Sequence, residues 1–205
     1  MAGRAAEYWE SAMDAEAYLD QMTQRREQFD RRIAATALSD AEREAFSGRP
    51  LRILALTEDF CGDSAQFIPP VIRLAQELDN VEIRLLLRDQ HRELASGYVR
   101  KDGYQAIPVL ILLAEDGEEM GHLVERPARV NDALAAETRR FALENPHLEG
   151  INRTYDKMAP ETRAAVLDNA ERFRDGNQAE WTRWLLEDLA AIVAEPVVAT
   201  AAIAD

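Results

Sequence analysis

The sequence predicts a small α/β fold, a βαβαββα sandwich with additional helices at both ends. Short apolar runs typical of buried strands alternate with amphipathic helical stretches between residues 50 and 143. The segment Glu115–Glu118 carries a turn signal that joins the last two runs as a hairpin. Helical spacing recurs on both sides of this region. Together these three observations predict a sheet packed against helices.

The elements of the core follow one another in a regular order. The predicted strands are Arg52–Thr57, Val81–Leu87, Ile107–Leu113 and Met120–Glu125. The predicted helices are Ser64–Leu78, His91–Tyr98 and Arg129–Leu143. Because a helix lies in each of the first two connections, we expect the first three strands to be parallel with right-handed crossovers. The hairpin then adds one antiparallel edge strand.

Helical patterns also flank the core. Residues Ala5–Met22 and Phe29–Ala37 have helical spacing, Ser39–Glu42 is a capping box, and the C-terminal helices are Thr162–Phe173 and Ala179–Val193. Since their apolar faces must be covered, we expect these helices to pack on the sandwich. The prediction is one domain over residues 1–205, with a core at about 49–145 and helical extensions at 1–48 and 146–195.

The composition argues against several classes of partner and location. The chain has a net charge of -14, and such a protein repels nucleic acids and anionic membranes, which are bound through Lys and Arg. The N-terminus carries no apolar signal region, and the longest apolar run, Ala106–Ala114, is too short to span a membrane. The single cysteine excludes an internal disulfide. We therefore predict a cytoplasmic protein with no nucleic-acid or membrane partner.

The single cysteine, Cys61, lies between the first predicted strand and the helix that follows it. Unpaired backbone N–H groups and the helix dipole favour a thiolate at such a position. Ser64, one turn further, could donate a hydrogen bond to the same sulfur. The charges of Glu58, Asp59 and Asp63 oppose a thiolate, so the net effect stays open. We interpret Cys61 as an exposed, functional thiol rather than an inert core cysteine.

The residues around Cys61 resemble the active-site region of the thioredoxin superfamily. The common pattern is a strand, an aromatic residue, Cys-Gly-x-x and a helix, with Phe60 at the position of the usual tryptophan. Pro69 stands where the superfamily has its kinking proline, and Ile107-Pro108 stands where it has its cis-proline. The stretch from Arg88 to Pro127 is similar to a bacterial thioredoxin-like subfamily that has a helical N-terminal extension.

This resemblance implies a set of site residues. They are Cys61 and Ser64 as the catalytic pair, Phe60, Gly62 and Asp63 as the active-site loop, and Ile107 and Pro108 as the substrate groove. The superfamily's second cysteine is Ser64 here, and its buried acid is Ala55. An intramolecular two-thiol cycle is therefore impossible, and monothiol chemistry remains.

The resemblance implies an atypical monothiol oxidoreductase or redox sensor without a cofactor. Its partner would be a protein disulfide or a low-molecular-weight thiol, and the oligomeric state, including a homo-oligomer, stays open. One alternative is a thioredoxin-fold interaction module without redox activity. Another is a serine esterase, because Gly62-Asp63-Ser64 resembles its nucleophile block, although the Asp-x-x-His pair it needs is missing. Glu58, Asp59 and Asp63 could instead form a small cation site, but we favour solvated loop residues and predict no metal.

Overall fold

A four-stranded mixed sheet with the strand order β2-β1-β3-β4 forms the centre of the molecule. Its strands are β1 (Leu51–Thr57), β2 (Val81–Leu87), β3 (Val109–Ala114) and β4 (Glu119–Val124). The computed structural model describes residues 4–195, so the ends of the predicted domain, 1–3 and 196–205, lie outside the described residues. The mixed sheet with its surrounding helices confirms the predicted α/β fold class.

Helices surround this sheet on both faces. The α-helices are α1 (Ala15–Gln21), α2 (Arg26–Ala35), α3 (Asp40–Phe46), α4 (Gly62–Glu77), α5 (Arg92–Ala95), α6 (Ala128–Glu144), α7 (Pro160–Gly176) and α8 (Gln178–Ala194). Short 3-10 segments lie at Ala5–Ser11, Arg88–Gln90 and Tyr155–Lys157. Within the described residues 4–195, no helix has the length and apolar character needed to cross a membrane.

Side chains of β1 alternate between two apolar layers, as the pleat of a strand requires. Ile53 and Ala55 belong to a layer that the larger helices cover, and Trp181 of α8 is among its buried side chains. Leu54 and Leu56 belong to a second layer on the opposite face. Both faces of the sheet are therefore buried, and residues from both terminal extensions contribute to covering them.

The second apolar layer depends on the N-terminal 3-10 segment. Trp9 is almost completely buried there. The guanidinium groups of Arg52 and Arg84 lie 5.4 and 5.0 Å from the centre of its rings, which is within the range of cation–π attraction. Trp9 therefore fastens the N-terminal segment to two strands of the sheet.

The expectation that Ala5–Met22 is continuously helical is wrong. The 3-10 segment and α1 are separated at Met13, which pairs with Leu85 on the free side of β2 through two backbone hydrogen bonds of 3.0 and 2.8 Å. Asp14 then begins α1 by accepting a hydrogen bond from the backbone N–H of Ala17 at 2.8 Å. The edge of β2 offers unpaired backbone groups, and satisfying them interrupts the helix.

The expectation that β3 runs parallel to β1 is also wrong. β1 is parallel to β2 but antiparallel to β3, with Leu56 opposite Val109. The connection after β2 contains the 3-10 segment Arg88–Gln90 and the four-residue helix α5. At about 6 Å, α5 is too short to run the length of a seven-residue strand as the helix of a parallel crossover does. The chain therefore enters β3 at the same end of the sheet where β1 and β2 finish.

Candidate functional site

Cys61 is the N-cap residue of α4. Its backbone is extended, with φ -78° and ψ 123°, and its Sγ accepts a hydrogen bond from the backbone N–H of Ser64 at 3.4 Å. The sulfur thus takes the place of the oxygen that Ser or Asp offers at other helix starts. The side chain is only partly buried. A partly accessible sulfur is consequently held at the positive end of a sixteen-residue helix.

The segment before β3 meets this sulfur from the other side. The Ile107–Pro108 peptide bond is cis, and the S–H of Cys61 donates to the carbonyl oxygen of Ile107 at 3.4 Å. Because β3 is antiparallel to β1, its first residue lies beside the end of β1. The antiparallel direction of β3 therefore brings Pro108 and Cys61 together.

Ser64 and Phe60 have very different surroundings. Ser64 is completely buried, and its hydroxyl has no hydrogen-bond partner among residues 4–195. The backbone N–H of Ser64, rather than its hydroxyl, contacts the sulfur. A buried serine without a bonded histidine offers no support for an esterase. Phe60, in contrast, is 47% exposed beside the thiol.

Two of the three nearby carboxylates, Glu58 and Asp59, are held by separate segments of the chain. Burial raises the pKa of Glu58, although its carboxylate accepts a hydrogen bond from the backbone N–H of Asp89 at 2.7 Å. Burial also opposes ionisation of Asp59, but hydrogen bonds from the backbone of Thr23 and Gln24, at 2.8 and 3.0 Å, help to lower its pKa. Between residues 4 and 195, no three acidic, histidine or cysteine side chains are arranged to hold a metal ion.

The third carboxylate, Asp63, is clamped by two arginines. Arg126 donates to its Oδ2 at 2.6 Å, and Arg174 of α7 donates to its Oδ1 at 3.4 Å. Arg126 is itself fixed by Asn131 at 2.6 Å and by Glu125 at 2.9 Å. Because positive charge surrounds Asp63, it opposes a thiolate less than its sequence position indicates.

A further arginine, Arg25, approaches from the N-terminal extension. Its backbone is left-handed, with φ 54°, and its Nε donates to the carbonyl oxygen of Phe60 at 3.1 Å. A Cβ placed on Gly62 would lie 3.9 Å from both the Arg25 Nη2 and the Arg174 Cζ. Both guanidinium groups therefore face the residue that follows Cys61.

The contacts of α7 with α2 position these arginines. Arg32 of α2 is almost fully buried and donates to Asp175 at 2.7 Å, with Glu171 also 3.5 Å away. Gln28 donates to Glu171 as well. No local motif marks Arg25, Arg126 or Arg174, so the sequence does not predict them as site residues. Only tertiary folding brings three such distant segments to one helix terminus.

Comparison with known proteins identifies the class to which this arrangement belongs. Residues 12–139 match the family model described as thioredoxin. That range is more than half of the chain, so the protein belongs to the thioredoxin family. The fold, the Cys61 helix start and the adjacent cis-proline agree with this membership.

Solved structures share the architecture at low sequence identity. A protein of unknown function from Pseudomonas aeruginosa is 19% identical, with a TM-score of 0.60, and the similarity covers 94% of this chain and 98% of that one. An HIV epitope scaffold is 18% identical, with a TM-score of 0.55 and coverage of 92% and 96%. Mitochondrial thioredoxin 3 from Saccharomyces cerevisiae is 16% identical, with a TM-score of 0.32 and coverage of 52% and 95%. No curated protein matches the chain. The first two similarities extend over the terminal helices as well as the core.

Proposed function

We propose that this protein is a monothiol thiol–disulfide exchange protein in which Cys61 is the nucleophile. The observation that carries the proposal is the position of its Sγ. The sulfur accepts a hydrogen bond from the Ser64 N–H at the start of α4 and contacts the Ile107 carbonyl oxygen, directly before the cis-proline. The helix terminus favours the thiolate form. The proposal includes the single-cysteine group of bacterial thioredoxin-like proteins and a reducing cytoplasm.

The reaction balances with thiols from solution. The Cys61 thiolate attacks one sulfur of a disulfide, a new S–S bond forms to Cys61, and the other sulfur leaves with the electron pair and takes up a proton. A thiolate from solution then attacks the substrate sulfur of the mixed disulfide, forms a disulfide with it and releases the Cys61 thiolate. Another solution thiolate attacks that new disulfide, and the substrate sulfur leaves with the electron pair and takes up a proton. Two solution thiols have then supplied the two electrons that reduce each substrate disulfide. The extended segment at Ile107 and Pro108 would hold the substrate beside the sulfur.

The first test measures the rate of Cys61 alkylation at neutral pH in the folded protein and in the same protein unfolded by urea. We expect the folded protein to react faster, because the sulfur is only partly buried and accepts a hydrogen bond from the Ser64 N–H, and we expect complete loss of labelling in Cys61→Ala. A folded protein that reacts no faster would contradict catalysis and favour an interaction module of the same fold. Sensing would instead appear as oxidation of Cys61 to a sulfenic acid by peroxide, which an added thiol reverses, without turnover of a disulfide.

A second test uses Ser64→Cys. Position 64 follows Cys61 by one helical turn, and its backbone N–H already touches the sulfur at 3.4 Å. We expect the two cysteines to form a disulfide under mild oxidation. The matched control is Ser96→Cys, near the end of α5, which should remain a free thiol. Two free thiols in the oxidised Ser64→Cys protein would contradict the proposed geometry.

A further inference from the structure

Two arginines, one from each terminal extension, face the space beside the Cα of Gly62, in the first turn of α4. This space, which a side chain at position 62 would fill, is called the open point below. The Cβ position of Gly62 is 3.9 Å from the Arg25 Nη2 and 3.9 Å from the Arg174 Cζ. Arg25 uses its Nε for Phe60 and its Nη1 for Gln28 and Glu171. Its Nη2 donates to no atom in the described part of the chain, and the Nη1 of Arg174 likewise has no partner there, since Arg174 donates to Asp63 from its Nη2. Donor capacity thus remains on both guanidinium groups.

Gly62 keeps this point open. Its φ lies outside the left-handed region that favours glycine, and a Cβ would make only ordinary van der Waals contacts. The backbone therefore does not require glycine at this position, yet no side chain fills the space between the guanidinium groups. The N–H groups of Gly62 and Asp63 also donate to no protein atom among residues 4–195.

The charge around this point contrasts with the charge of the whole protein. A chain with a net charge of -14 repels anions at long range. The ion pairs that Arg25 makes with Glu171 and Arg174 makes with Asp63 are long, at 3.5 and 3.4 Å. Both guanidinium groups can therefore donate hydrogen bonds to a further carboxylate, which arginine binds through parallel N–H groups.

We propose that Arg25 and Arg174 bind a carboxylate of an anionic low-molecular-weight thiol and so select the thiol that exchanges with Cys61. This inference rests on the proposed function and names its co-substrate class. The carboxylate would lie over Gly62, one residue from the sulfur, so the thiol group of the same small molecule can reach Cys61. The two extensions then supply substrate specificity to a core that supplies the nucleophile.

The test measures the second-order rate at which three thiols react with a Cys61–pyridyl mixed disulfide, prepared with 2,2′-dithiodipyridine. The thiolate attacks the Cys61 sulfur, a new S–S bond forms, and pyridine-2-thione leaves with the electron pair and a proton. Because Cys61 is not the leaving group, its own ionisation does not enter the rate. The probes are mercaptosuccinate, neutral 2-mercaptoethanol and cationic cysteamine.

The rate for each thiol is compared between the unsubstituted protein and its variants, so the intrinsic reactivity of the thiol cancels. In Arg25→Gln and Arg174→Gln we expect the mercaptosuccinate rate to fall about tenfold, equivalent to about 1.4 kcal/mol. The 2-mercaptoethanol rate should stay within about twofold, and the cysteamine rate should rise. Added salt should reduce the preference of the unsubstituted protein for mercaptosuccinate.

Two further variants separate charge, space and folding. Gly62→Ala keeps both guanidinium groups but fills the open point with a methyl group, and it should lower only the mercaptosuccinate rate. Arg172→Gln is the matched control, because Arg172 is exposed on α7 and forms an exposed ion pair with Asp168. It should leave all three rates unchanged.

The possible outcomes distinguish this inference from the proposed function. Equal losses for all three thiols, or no loss in Arg25→Gln, Arg174→Gln and Gly62→Ala, would overturn the carboxylate site while Cys61 exchange remains. A preference found only for an acidic cysteine-containing peptide would also overturn it and assign the arginines to a protein partner. If Cys61 forms no pyridyl mixed disulfide at all, the proposed function itself fails.

Discussion

Replacing Asp63 by Asn tests whether the arginine clamp supports both the fold and the thiol. Asp63 and Arg126 expose only 12% and 15% of their side chains, and their contact is 2.6 Å. Breaking a buried ion pair costs about 3–5 kcal/mol. Arg126 keeps Asn131 and Glu125 as partners, so we expect a smaller loss of about 2 kcal/mol in the free energy of unfolding.

Urea unfolding followed by circular dichroism measures this loss. For a chain of this length, about 2 kcal/mol corresponds to a decrease of roughly 4–8 °C in melting temperature. The control is Asp168→Asn, because Asp168 forms an exposed pair with Arg172 and should change stability by less than about 0.5 kcal/mol. Equal stability of the two variants would refute the clamp.

The same substitution changes the charge next to the thiol. Asp63→Asn removes one negative charge and leaves the Arg126 and Arg174 guanidinium groups near the start of α4. We therefore expect Cys61 to be alkylated several-fold faster near pH 7. A slower reaction would show that Asp63 acts through helix initiation rather than through charge, and the electrostatic reasoning would fail.

Three other substitutions test separate parts of the structure. Trp9→Ala should destabilise the protein by about 3–5 kcal/mol in urea unfolding because the ring is buried, whereas Leu143→Ala, at an exposed position, should change little. Arg32→Ala should lower the free energy of unfolding by about 1–3 kcal/mol, a loss limited by the partial exposure of its partner carboxylates. Limited proteolysis should cleave α7 in this variant because α7 is released from α2. An α7 that stays intact would contradict this expectation. Since the pKa of Asp59 is lowered, its hydrogen bonds stabilise the fold above about pH 4 and are lost as pH falls below it. Asp59→Asn should therefore be less stable than the unsubstituted protein at neutral pH, and this difference in the free energy of unfolding should disappear in acid. A difference that does not change with pH would contradict this reasoning.

Local patterns in the sequence predict many of the elements and few of their long-range relations. The strand at Val81–Leu87 is found as predicted, because a bounded apolar run determines its own conformation. The capping box at Ser39 and Glu42 is likewise present. The predicted parallel direction of β3 is wrong, since the direction depends on where the connecting chain returns and not on the composition of the strand.

The candidate site likewise contains one part that the sequence predicts and another part that it does not. Cys61 could be placed at a helix start because strand, cysteine and helix are adjacent in sequence. The roles of Arg25, Arg126 and Arg174 could not be predicted, because their proximity to Asp63 and Gly62 exists only after both extensions have packed on the core. Isolated arginines in a sequence are most often solvated surface residues.

The left-handed backbone of Arg25 has a consequence for protein engineering. A non-glycine residue in that conformation is strained by about 1–2 kcal/mol, and glycine adopts it without that cost. Arg25→Gly would relieve the strain but remove the hydrogen bonds to Phe60 and Gln28, each worth about 1 kcal/mol, so the melting temperature should change little. Such a variant would lack one of the two guanidinium groups above Gly62, and ranking variants by melting temperature would not detect the loss of the proposed thiol preference.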